Sequence, residues 1–338
     1  MENLSWTTVS SNTGGGSSMF SIVFRMYCEP VLCAVSLIGN ITVLIGMARV
    51  KHGFSRSVRF YYSMLAIGEL LLVDGLYFVG DFLETGIAYL VSGGTYYPIL
   101  TYDATDLSCK LLSALWLVSD NIAGYTLVCL GIERIIAVTW PLRAKTILTL
   151  RFSVLLETTI VLLANISFLP LLLMDYTLVP QYGCWYDYSL PYTRFYIMLE
   201  IVIPLLSSLL SLGFSAYLVV KLILSMLARR GLSNSAGISA RELSNIATLL
   251  FLDVAHVIVY IPDGIFYWMY SLTVVNPDAL NAALAFTLYR LANIFDELLL
   301  VPHALTFFIL FFRSGAFRKA LCGKCFAING SSQTEDTK

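Results

Sequence analysis

The sequence predicts an all-α membrane protein, a bundle of seven transmembrane helices, and three observations carry that prediction. Of the 338 residues, 58% are hydrophobic and only 13% charged, with a mean hydropathy of +0.77. A soluble globular chain carries about 25% charged residues and has too little interior to hide so much apolar material. Seven segments approach or exceed the roughly 20 apolar residues that a spanning helix needs. They are 31–47, 60–80, 111–132, 152–174, 201–220, 246–270 and 283–312, numbered spans one to seven, with two acids in each of spans two, six and seven. Their apolar residues run on without alternating in twos, which argues for helices over barrel strands. The few charges, finally, gather in alternate loops.

Those charges set an orientation. Lys and Arg follow span one (Arg49, Lys51, Arg56, Arg59), span three (Arg134, Arg143, Lys145, Arg151), span five (Lys221, Arg229, Arg230, Arg241) and span seven (Arg313, Arg318, Lys319, Lys324, Lys338). The opposite side carries Asp81, Glu84, Asp103, Asp106, Asp175, Asp187 and Asp278. The positive-inside rule then puts the N-terminus outside and the C-terminus in the cytoplasm, as an odd number of helices requires. Residues 1–25 read as a Ser/Thr/Gly-rich outer tail without an apolar signal-peptide core, in which Asn3-Leu4-Ser5 is a glycosylation sequon. Residues 26–312 make the bundle, and 326–338 a polar inner tail.

Several function classes drop out. No Gly-rich phosphate loop, metal-spaced His/Cys pair or nucleophile elbow is present. His52, His256 and His303 lie in separate segments, so their spacing offers no metal or catalytic constellation, and no enzyme is expected. No internal repeat suggests a transporter of duplicated halves. A channel would need a continuous polar path, whereas the acids here cluster outward.

Span three begins at Cys109 and ends in Glu133-Arg134-Ile135, a helix of about 37 Å that reaches from one membrane surface to the other. Add Gly39-Asn40 in span one, Leu65-Ala66 and Glu69 in span two, and Pro204 and Pro262 in spans five and six. This pattern resembles a rhodopsin-like G-protein-coupled receptor, from about residue 26 to residue 325. The resemblance implies a disulfide between Cys109 and Cys184, tying the second outer loop over span three. It implies a short amphipathic eighth helix within 313–325, followed by palmitoylation at Cys322 and Cys325. It also implies a lock between Arg134, beside Glu133, and Glu242 of span six, which lies about 30 Å inward of Pro262. Pro262 removes a backbone hydrogen bond and supplies span six with a hinge. Opening the lock would expose a groove for a heterotrimeric G protein, with arrestin and a receptor kinase as further partners and no nucleic acid. The residues alone also allow Arg134 to be an interfacial arginine whose charged head reaches water. Four positions depart from the family: Ile135 replaces an aromatic, Tyr260 a tryptophan and Leu212 a tyrosine, and the Asn-Pro-x-x-Tyr motif is missing. The register that matches most residues puts Thr306, Phe307 and Leu310 in that motif, and an alternative register takes Pro302 as the motif proline, with Phe312-Arg313 opening the eighth helix.

The buried acids carry the ligand question. Glu69 stands where the family binds sodium through an aspartate, but Ala123 and Thr306 replace the usual helpers, which argues against sodium. An unpaired mid-membrane carboxylate is costly, so Glu69 is expected either to pair with His303 or to stay a neutral, hydrogen-bonded acid. Trp116, Asp120, Glu200, Tyr260, Asp263 and Asp296 fall on spans three, five, six and seven, with Glu84 above at the end of span two. Acids converging from several helices predict a cavity that welcomes cations, although each acid taken singly also reads as packing. Trp116 replaces the aspartate of amine receptors, and span seven lacks the lysine of opsins. Pro141-Leu142-Arg143-Ala144-Lys145 with Thr149 resembles receptors of the ghrelin, neuromedin and invertebrate neuropeptide kind. The expected ligand is therefore a cationic or amidated, Arg-containing peptide. The alternative is a chemosensory or orphan receptor with a non-peptide ligand or constitutive activity. No cofactor is expected.

Overall fold

A computed structural model describes residues 20, 23–50, 54–87, 91, 105–167, 169, 176–179, 183–186, 193–229, 240–275 and 282–322. Ten helices and one hairpin are formed among them. Span one is α1 (Phe24–Arg49), whose first turn has the wider π hydrogen-bonding pattern. Span two is α2 (56–87), α-helical over Arg56–Glu69 and π-helical over Leu70–Ile87. Span three is α3 (Asp106–Thr139), followed by a short α4 (Pro141–Ile147) and by α5 (Leu150–Ile166), which carries span four. Strands β1 (Tyr176–Val179) and β2 (Gly183–Tyr186) pair antiparallel, with Leu178 opposite Cys184. Spans five and six are α6 (Thr193–Arg229) and α7 (Ala240–Val275). Span seven is split into α8 (Ala282–Leu298) and α9 (Leu300–Arg313), and α10 (Gly315–Cys322) is the amphipathic helix beyond it. Six of these spans are long and apolar enough to cross a membrane, and α5, joined to α4 at a 76° bend, brings the number to seven.

The helices outrun the apolar segments, and local chemistry shows why. An apolar run marks only what lies in hydrocarbon, whereas a helix continues until something stops it. In α3 the start is a capping box, in which the Thr105 side chain accepts from the Ser108 amide and the Ser108 side chain from the Thr105 amide. Its end falls at Trp140, just before Pro141 opens α4. The seventh span crosses as expected, over Ala283–Arg313, with one irregular turn in its backbone ladder. Pro302 has no N–H for the Leu298 carbonyl four residues back, and its ring crowds that carbonyl, so the helix breaks at Leu299. The Leu299 amide is shared between the carbonyls of Phe295 and Asp296 at 3.0 Å each.

Packing runs inside out relative to a soluble protein. Ile38, Leu155, Leu163 and Ile258 point outward, toward lipid, while Ser36, Asn40, Glu69, Asp253, His256 and His303 are buried. Lipid tails are as apolar as leucine, so close backbone approach and interhelical hydrogen bonds hold the bundle. Ser211 and Ser215 of α6 both donate to Asp253 of α7, Thr126 of α3 to Glu157 of α5, and Asn121 of α3 to Asn165 of α5 at 3.2 Å. An apolar cluster of Met47, Tyr61, Leu65, Leu130, Leu249, Leu310 and Phe317 fills the end of the bundle nearest α10. Phe317 plugs α10 into α1 there, because Gly46 leaves the room: a Cβ at Gly46 would lie 2.3 Å from the ring.

Gly46→Ala is therefore expected to displace α10 and to destabilise the bundle by about 1–3 kcal/mol. Thermal melting of the purified protein in detergent, with Gly213→Ala at an open position as control, measures this.

Candidate functional site: an acidic cavity above a buried polar relay

Pleated between the halves of α2, α3, α6, α7 and α8 lies a cavity of about 280 Å³. Trp116 and Asp120 reach it from α3, one helical turn apart on the same face. Tyr260, Asp263 and Tyr267 reach it from α7, Tyr289, Asn293 and Asp296 from α8, and Tyr77 from α2. Five residues selected from the sequence (Trp116, Asp120, Tyr260, Asp263 and Asp296) thus share one space. Two others, Glu200 and Glu84, sit on α6 and α2, but their side chains lie outside the described residues. Three carboxylates enter the cavity, and among the described residues no Lys or Arg lines it. Arg290, also on α8, instead stands over the Phe286 ring at 4.3 Å. Tyr77 donates to Asp296 at 3.3 Å and Tyr260 to Asp120 at 2.5 Å.

Below the cavity floor the polar groups form a chain. The Tyr260 hydroxyl donates to Asp120 and meets His303 Nε2 at 3.0 Å on its other side. His303 Nδ1 faces Glu69 Oε1 at 3.6 Å, and Thr306 donates to that same oxygen at 2.5 Å. His256, one turn before Tyr260 on α7, packs edge-on against His303 with ring centroids 4.9 Å apart. Glu69, His256 and His303 are all buried, and each offers a ligand atom within 4.8 Å of the others. Histidine spacing alone offers no such set; helix packing brings these three groups together from distant segments.

At the opposite end of α3, Arg134 pairs with its neighbour Glu133, Nε to Oε2 at 3.2 Å, with 13% of the Arg134 side chain exposed. Glu242 lies in the first turn of α7, its side chain outside the described residues, and Pro262 lies within α7. Cys109, at the start of α3, is disulfide-bonded, Cys28 and Cys129 carry free thiols, and the Cys33 thiol donates to the Val73 carbonyl at 3.7 Å. The side chain of Cys184 and those of Asn3, Cys322 and Cys325 lie outside the described residues.

Sequence reasoning passed over His256, Tyr77, Glu157 and the ion pair between Arg25 and Glu297, 2.5 Å long and joining α1 to α8. For His256 a signal did exist, since it lies four residues before Tyr260 and so on the same helix face. No sequence pattern connects Arg25 to Glu297, which are 272 residues apart.

Comparison with known proteins agrees with this architecture. The model of the family described as 7 transmembrane receptor (rhodopsin family) matches residues 39–295, about three quarters of the chain. The chain belongs to that family, whose members are signalling receptors and not enzymes. Over 145 residues it is 28% identical to a Caenorhabditis elegans protein described as a probable G-protein coupled receptor. That match covers 42% of this chain and 31% of the relative, so it spans about a third of the relative's length.

Tyr260→Phe removes the one hydroxyl shared by Asp120 and His303 and strands both in a buried site. A loss of about 1–3 kcal/mol is expected. Tyr77→Phe, which gives up a longer bond of 3.3 Å to Asp296, is expected to cost less, and paired melting curves of the two variants check the order.

Proposed function

We propose that the chain is a plasma-membrane G-protein-coupled receptor, with its N-terminus outside, for a cationic ligand. The observation that carries this is the cavity into which Asp120, Asp263 and Asp296 converge, with no Lys or Arg among the described residues of its wall. Three carboxylates in a poorly solvated space favour a positive guest strongly, because their mutual repulsion is relieved when it enters. A volume of about 280 Å³ suits one guanidinium or ammonium side chain with its neighbouring residue. A cationic or amidated peptide would insert such a terminus and leave the rest above, beneath a loop held by a Cys109–Cys184 disulfide. The small volume equally favours the second reading, a receptor for a small non-peptide cation.

Signalling in this reading runs through span six. The ligand and the G protein each favour a state in which α7 swings outward about Pro262, and each therefore tightens binding of the other. Arg134, released from Glu133 and Glu242, would line the groove that opens. Glycosylation at Asn3, palmitoylation at Cys322 and Cys325, and arrestin and receptor-kinase partners belong to the same reading.

A library of peptides and small amines, read out as calcium and cyclic AMP in transfected cells, tests it. Asp120→Asn and Asp296→Asn are each expected to cut the potency of an active cation at least tenfold, about 1.4 kcal/mol. Unchanged potency in both variants would sink the acidic-cavity reading. Which half of the library is active decides between the peptide and the small cation. Arg134→Ala is expected to abolish coupling while radioligand or fluorescent-ligand binding at the cell surface persists; intact coupling counts against the lock.

A further inference from the structure

We propose that Glu69, His256 and His303 form a transition-metal site, suited to Zn²⁺, that ties spans two, six and seven together beneath the ligand cavity. Hydrogen bonding leaves a lone pair on each member. His256 Nδ1 lies 2.8 Å from the Leu252 carbonyl, which can only accept, so Nδ1 carries the ring proton and Nε2 does not. The Tyr260 hydroxyl gives its proton to Asp120, so its oxygen accepts from His303 Nε2–H, which leaves His303 Nδ1 unprotonated. Thr306 occupies Glu69 Oε1, and Glu69 Oε2 makes no hydrogen bond. His256 Nε2, His303 Nδ1 and Glu69 Oε2 are accordingly all buried without a hydrogen-bond partner. The three residues are 3%, 0% and 0% exposed, respectively, for His256, His303 and Glu69. Three orphaned acceptors facing one another repel. A cation among them turns that repulsion into coordination.

The donor set selects the metal. Two neutral imidazole nitrogens and one carboxylate are the ligands of three-residue zinc sites, which leave a fourth tetrahedral position open. Sodium, a hard cation, prefers oxygen ligands and gains little from imidazole. Metal–ligand bonds of about 2.0–2.1 Å set the ligand atoms of a tetrahedral site about 3.3 Å apart. The Glu69 carboxylate already stands 3.6 Å from His303 Nδ1 through Oε1, too long for a hydrogen bond, and a rotation of the carboxyl group would present the unbonded Oε2 to the metal. The full set lies within 4.8 Å, so the widest pair must close by roughly 1.5 Å, within the reach of side-chain rotation. Outer partners are in place as well: Leu252 holds His256, Tyr260 backed by Asp120 holds His303, and Thr306 holds Glu69. The two positive charges of Zn²⁺ would balance the carboxylates of Glu69 and Asp120.

The site also bears on signalling, and that part rests on the receptor reading above. A metal held by α2, α7 and α9 restrains the helix that activation moves, so Zn²⁺ should reduce G-protein activation. Tyr260 joins the cavity floor to this site, so a cation at Asp120 and a metal at His303 compete for the same hydrogen-bond chain.

Binding is tested apart from signalling. The full chain, purified in detergent without a polyhistidine tag, is stripped with EDTA and titrated with CoCl₂ and then ZnCl₂. One Co²⁺ per chain with the intense visible absorption of a tetrahedral site, displaced by one Zn²⁺, is the expected result. Wild-type protein without that absorption overturns the proposal. Glu69→Gln, His256→Gln and His303→Gln are each expected to weaken Zn²⁺ retention at least tenfold, and equal retention in all three also overturns it. Melting in EDTA shows which variants keep the fold, and the wild-type titration decides on its own if none does. If Zn²⁺ binds but leaves G-protein activation in membranes unchanged, the metal site stands and its link to span six fails.

Discussion

A carboxylate or imidazole inside a bilayer has no water to fall back on, and this chain places many of them in its interior. Each must find a partner on another helix, and those obligations set how the helices sit. Tyr260 carries the most consequential of them. Its hydroxyl joins Asp120 of α3 to His303 of α9, and through His303 reaches toward Glu69 of α2. Four crossings meet through one phenol. The serine clamp on Asp253 joins α6 to α7 in the same way, and Thr126 with Glu157 joins α3 to α5. Remove the need to satisfy these groups and little in an apolar solvent would choose this arrangement over its neighbours.

The same constraint divides the bundle by depth. Near α10 the interior is aromatic and aliphatic, closed by Phe317 against Gly46. Toward the other end it opens into the cavity with its three carboxylates. Between the two lies the polar layer of Glu69, His256, His303 and Thr306. A stiff packed end, a polar middle and an open acidic end are what a receptor needs if a guest at one surface is to bias helices at the other. Tyr260 belongs to both upper layers, and it lies on α7, the helix that contains Pro262.

The family membership and the departures from its usual residues fit together physically. Where a tryptophan is usual, Tyr260 supplies a hydroxyl, and that hydroxyl is what links cavity to polar layer. Pro302 breaks the seventh span at Leu299, and the turn of helix just after the break carries His303 into the interior. Glu69 reaches Thr306 at 2.5 Å, a contact that its extra methylene, relative to aspartate, brings within range.

Composition and periodicity determined that the chain crosses a membrane and how many times it does so, because these depend on local chemistry. Hydrocarbon thickness selects the apolar runs, a missing N–H removes one rung of the helix ladder at each internal proline, and spacing by four puts Trp116 and Asp120 on one face. The clustering of Trp116, Asp120, Tyr260, Asp263 and Asp296 was legible for the same reason, since acids at matching depths on neighbouring helices have one interior to share. Partnerships across helices were not. Arg25 with Glu297, Thr306 with Glu69, and His256 beside His303 join residues 272, 237 and 47 positions apart. Helical spacing says which side chains share a face, but the rotation of each helix about its own axis decides which faces meet. That rotation is set only when all the buried polar groups are satisfied together.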